Sequence, residues 1–157
     1  MRGADVIDVV TSDARDDVVD VLVADHAPSS VVEPLLGRDM IRIEGGTQAL
    51  RRTVEARLEI ESRAVSISVP RPIGALILKA AAYRTDNRDR ERHLADAAAL
   101  LACIDDPFAE REGFAGSDRG RLMALQRALT DDHVVWLALP DRARRDGRAA
   151  LRVLCQR

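Results

Sequence analysis

The chain has 157 residues, enough for one domain or for one domain made of two small lobes. Its 24 basic and 26 acidic side chains leave a net charge of −2, which excludes a protein of the histone kind that coats nucleic acid. Aromatics at 3% exclude base-stacking platforms, and 46% hydrophobic residues supply a real core and exclude bulk disorder.

The first 25 residues are acidic and lack the apolar stretch of a secretion signal. No run approaches the roughly 20 apolar residues that span a bilayer. Cys103 and Cys155 are the only cysteines. Without a CxxC they form neither a zinc site nor a disulfide framework, and a reducing cytoplasm is the plain reading.

In chain order, residues 5–10 and 17–23 are β-branched runs that read as a β-hairpin turning around Ala14. Residues 27–39 hold Pro28, Pro34 and Gly37 and read as a connection. Met40 to Ile43 is a short strand ending at Gly45-Gly46, and Thr47 to Arg52 a brief helix. Val54, Ala56, Leu58 and Ile60 then alternate with charges, and across Ser62-Arg63 Val65, Ile67 and Val69 alternate with serines. This is a second hairpin, expected to bury one face.

After Pro70 the period changes. Pro72 opens a helix running to about Tyr83, with Ile73, Leu76, Ile77 and Ala80 on one face. Further helices are expected over 88–104, over 119–130 behind a Ser117-Asp118 cap, and from about Pro140 to the end. Trp136 reads as a core anchor. The fold class is α+β, a small antiparallel or mixed sheet (1–69) followed by a helical bundle (70–157).

Of the 24 basic residues only Lys79 is lysine, and it is the one charge in Ala75–Ala82. It is either a snorkelling lysine at the rim of a core helix or half of a pair. Asp96 lies in an equally apolar stretch of the next helix. Consecutive helices pack antiparallel, so the two can face each other; the plainer partner for Asp96 is Arg92 on its own helix. Asp20 sits inside a strand of valines, where aspartate is disfavoured. A turn around Ala14 puts Asp8 opposite it, an arrangement that calls for a cation between them. His93 reads as structural or as an assistant to Asp96. The last helix is net +4, a solvated face or a contact for RNA or an acidic partner.

These residues carry a resemblance. Asp20 within Val19-Asp20-Val21 is similar to the third-carboxylate strand of the AbiEii-type (type IV toxin) nucleotidyltransferase-like family. Lys79 matches that family's late lysine on an apolar helix. Thr85, Arg88, Arg92 and Asp96 match the motif that follows it, with His93 where the family has aspartate. Gly45-Gly46-Thr47-Gln48-Ala49-Leu50 and Gly116-Ser117-Asp118-Arg119 also look like segments of family members.

The resemblance implies a partial polymerase-β-like nucleotidyltransferase core and transfer of a nucleoside monophosphate from an NTP to a nucleic acid or protein hydroxyl. It implies Mg²⁺ held by Asp20, with Asp8 beside it. Lys79, Arg88 and Arg92 would bind the nucleotide, and Asp96 would orient Lys79 or act as base. tRNA or a cognate antitoxin would be partners, and no membrane is involved. The family's Gly-Ser turn and Asp-x-Asp strand do not precede Asp20. Gly45-Gly46 followed by Glu59-Ile60-Glu61 imitates them in spacing only. The expectation is therefore a truncated or degenerate enzyme, and the alternative is a non-catalytic module that binds a partner such as an antitoxin.

Overall fold

The computed structural model describes residues 6–7, 22–28 and 41–156. Three short strands come first: β1 (Val6–Ile7), β2 (Leu22–Ala24) and β3 (Ile41–Ile43). β1 pairs antiparallel with β2, and β2 pairs parallel with β3. The sheet is therefore mixed. Val6 lies opposite Val23 and Ile7 opposite Leu22, one residue away from the register that a turn around Ala14 demands. The expected opposition of Asp8 and Asp20 itself lies outside the described residues.

Helix α1 (Gly46–Leu50) starts behind a turn in which Gly45 has φ +83°, a left-handed conformation that favours glycine. The neighbouring Gly46 lets α1 lie directly on β2. A Cβ there would come within 2.8 Å of the Ala24 Cα.

The second hairpin forms as the alternation predicts, β4 (Thr53–Ile60) with β5 (Arg63–Pro70). Its turn is Glu61-Ser62, one residue before the expected Ser62-Arg63, because these are the two residues at positive φ (49° and 65°) and Arg63 already pairs with Ile60. This is the type I′ geometry whose twist matches a two-residue hairpin loop. The expectation of a buried face is corrected. Every residue from Arg57 to Ser68 is exposed, and no third described strand pairs with the hairpin. Alternation produced a two-faced ribbon, and no described element covers its apolar side.

From Pro72 onward the chain is helical: α2 (Pro72–Thr85), α3 (Arg90–Leu101), α4 (Pro107–Glu112), α5 (Asp118–Ala128) and α6 (Asp141–Cys155). A 3₁₀ turn over Val134–Ala138 sets Trp136 into the core. Helices α2, α5 and α6 lie within a few residues of the sequence expectation at both ends, and α3 stops three residues early. Helix α4 falls in a stretch whose sequence reads as loop. It begins where Asp106 accepts hydrogen bonds from the Phe108 and Ala109 amides, with Pro107 at its first position.

Among the described residues the helices share one core cluster. Ile73, Leu76, Ile77 and Ala80 of α2 meet Leu94, Ala97, Ala98 and Leu101 of α3, Leu122 and Leu125 of α5, Trp136, and Leu151 and Leu154 of α6. Burial of this kind contributes about 1.5–3 kcal/mol for each large side chain. No described helix is long and apolar enough to cross a membrane.

Candidate functional site

Helix α2 is apolar nearly all round and buries one face on α3 while its C-terminal half turns toward β3. Lys79 stands at the boundary. Its Nζ lies 2.7 Å from Asp96 Oδ2, with the two side chains 35% and 39% exposed. The lone ammonium and the lone carboxylate of two successive apolar stretches thus meet, and Arg92 is not the partner of Asp96. Arg92 lies exposed on α3, outside the groove described next.

Lys79 also borders a groove of about 670 Å³ between β2–β3 on one side and α2 with its following turn on the other. Leu22, Ile41, Ile43, Leu78 and Ala82 give it an apolar floor. Arg42, Lys79 and Arg88 give it cationic walls, and Thr85 and Asn87 add a hydroxyl and an amide. The volume and the mixture of apolar floor with a few polar groups are those of a small-molecule site. Arg42 and Asn87 are groove residues that sequence reasoning missed. The one signal for Arg42 is its place between Ile41 and Ile43 on a short strand.

Two carboxylates reach this groove, Glu44 and Asp86, and both are engaged. Asp86 Oδ1 accepts the Arg88 amide at 2.8 Å, and Oδ2 lies 3.1 Å from His93 Nε2. The backbone bond from Arg88 and the bond from His93 hold the Asp86 carboxyl below its ordinary value. His93 therefore braces the turn that carries Asp86 and Arg88; it does not approach Asp96 in any bond among the described residues. Glu44 receives Arg121 at 3.1 Å and has Arg84 at 3.8 Å.

Arg121 belongs to a network that ties the Glu44-Gly45-Gly46-Thr47 turn to α5. Asp118 is fully buried, 2.9 Å from Arg52 Nη2, and accepts the Ala115 amide at 3.0 Å. Arg52 also donates to the Gly113 carbonyl at 2.6 Å. Asp25 takes the Gly45 amide at 2.9 Å and the Thr47 amide at 3.0 Å. Burial pushes the Asp25 carboxyl up, but those two amides, the Thr47 hydroxyl and His26 outweigh it and bring it down to about 2. The glycine turn that imitates a triphosphate loop thus has its donors occupied by an internal carboxylate. Ser117, expected as a cap, makes no side-chain cap bond; its neighbour Asp118 is the residue that matters there.

No protein-family model, curated protein or solved structure matches this chain.

Asp20 and Asp8, the expected metal ligands, lie outside the described residues; in the chain Asp20 precedes the groove residue Leu22 by two positions. Among the described residues no group of three His, Cys, Asp or Glu side chains is arranged to hold a metal ion. The described carboxylates beside the groove are already paired with cations or amides. They do not fit a Mg²⁺ site.

Proposed function

We propose that the groove beside Lys79 binds the phosphates of a nucleoside triphosphate, and that the chain is a nucleotidyltransferase-like protein with a partial polymerase-β-like core. In its active form such a protein transfers a nucleoside monophosphate to a hydroxyl of a nucleic acid, tRNA among them, or of a protein. The observation that carries the reading is the Lys79–Asp96 pair at the groove wall. An ammonium held at 2.7 Å by a carboxylate, yet 35% exposed, is oriented without being consumed. It presents a compact point charge of the kind that phosphate oxygens take up. Arg88 supplies further donors on the same wall, and Arg42, which also donates to the Asp25 carbonyl at 3.4 Å, supplies them from the facing strand. The apolar floor suits a base or a ribose face. Asp96 acts as the positioning residue for Lys79.

The test is equilibrium binding of ATP, GTP and inorganic triphosphate to the full chain and to Lys79→Met, alongside transfer of labelled NTP to tRNA. The variant is expected to lose about tenfold or more in triphosphate affinity, the scale of one charge-assisted hydrogen bond. Its melting curve should barely move, because a partly exposed pair contributes about 0–1 kcal/mol. Equal affinity in both proteins, or none in either, overturns the reading.

A second reading is a non-catalytic lobe that keeps the groove and serves a partner such as an antitoxin. The engagement of Glu44, Asp86 and Asp96 in local pairs favours it. Binding of NTP without transfer of label would select this second reading.

A further inference from the structure

The β4–β5 hairpin carries eight residues in each strand, about 27 Å of ribbon at the usual rise. Val54, Ala56, Leu58 and Ile60 of β4 share a face with Val65, Ile67 and Val69 of β5. Val54, Leu58, Ile60, Val65 and Ile67 remain 40–54% exposed. A two-stranded ribbon with no third strand is marginal in water. The alternation nevertheless stays strict to its exposed tip.

The two edges of the ribbon differ. β4 carries Glu55, Arg57 and Glu59 on its polar side, whereas β5 carries no charge from Ala64 through Val69 and no proline before Pro70. Charges and prolines are the usual devices that keep an exposed edge from pairing, and β5 has neither along that stretch.

We propose that the β5 edge pairs antiparallel with β5 of a second copy of this chain, making a four-stranded sheet across a two-fold axis. The β5 sequence is complementary to itself in this arrangement. With the axis at Ile67, Ile67 meets its own copy and Val65 meets Val69 on the apolar side, while Ser66 meets Ser68 on the polar side. Between residues 64 and 70 no like charges face each other; at each end Arg63 falls opposite Arg71, whose guanidinium is already paired with Glu110. Pairing β4 edges about Arg57 would oppose Arg57 to itself and Glu55 to Glu59 of the other copy, where like charges repel. Main-chain hydrogen bonds supply the attraction, as in other strand additions, and the apolar side chains of β5 move from an edge lane to a central one. This assembly is independent of what the groove binds.

Sedimentation velocity over a concentration series tests it, on the full chain and on Ser66→Lys/Ser68→Lys. Both serines are exposed, so the double variant should keep the parent's far-ultraviolet circular dichroism and melting temperature. The parent is expected to dimerise as concentration rises. The double variant should stay monomeric, because the ammonium groups introduced at positions 66 and 68 would face those of the other copy across the axis. A parent that is monomeric at every concentration overturns the proposal. So does a dimer that survives the double substitution. A Leu58→Ser/Ile60→Ser variant gives a second check: its dimer should persist, and its loss alone would mean that the apolar faces stack instead.

Discussion

The β4–β5 hairpin and the α2–α6 body carry equally clean apolar patterns and meet opposite fates. In α2, Ile73, Leu76, Ile77 and Ala80 are fully buried at 0% exposure. In the hairpin, Val54, Leu58, Ile60, Val65 and Ile67 of the period-two pattern keep 40–54% of their surface in water. Periodicity reports which side of an element is apolar. Whether anything lies against that side depends on contacts made by other parts of the chain.

The comparison is sharpest with one residue type placed in both regions. Leu76→Ala empties a fully buried site and should cost about 2–5 kcal/mol in denaturant unfolding. Leu58→Ala, at 40% exposure, should cost under about 1 kcal/mol in dilute solution. Similar costs for the two would mean that the hairpin face is covered in the monomer after all.

The same contrast explains what the sequence made legible. The helices can be read because Pro72 punctuates the change of period and because 3.6-residue spacing recurs over three or more turns. Lys79 and Asp96 can be paired because each stands alone in an apolar run. Helix α4 escapes because six residues with three charges show no period. Its start rests on one capping aspartate, Asp106. The parallel pairing of β2 with β3 escapes because strands of three residues say nothing about their neighbours. Asp25, Arg52, Asp118 and Arg121 escape for another reason. They are four among 50 charged side chains, and nothing local marks the Arg52–Asp118 contact across 66 positions. The groove is half legible, since its helix side holds the singled-out lysine and its strand side holds an unremarked arginine, Arg42.

The junction between the sheet and the helices offers a second test, of intermediate size. Asp25 has a folded value near 2 against an ordinary 3.8, so its carboxylate form stabilises the fold. That contribution is present in full above the ordinary value and is lost as pH falls from about 4 toward 2. It amounts to about 2 kcal/mol. Urea unfolding of the parent between pH 6 and pH 2 should show this loss, and Asp25→Asn should remove most of it from the profile while lowering stability at pH 6. Because the Gly45 and Thr47 amides are the groups that Asp25 satisfies, the effect belongs to the junction and not to the hairpin. An unchanged profile in Asp25→Asn would show that these amides are satisfied without the charge.

The smallest effect separates the two regions most cleanly. Glu61 and Ser62 sit at φ 49° and 65°, where residues with a Cβ are strained and where Asn-Gly is the preferred pair for this turn type. Glu61→Asn/Ser62→Gly should therefore stabilise the hairpin by about 1 kcal/mol. The gain should appear as slower amide hydrogen exchange along the β4–β5 ladder. The midpoint of global unfolding, which the buried cluster around Leu76 and Trp136 governs, should stay where it is, since a ribbon exposed on both faces opens without the body. A rise in that midpoint equal to the local gain would instead join the hairpin to the cooperative unit, and its exposed face would then have to be part of what holds the body together.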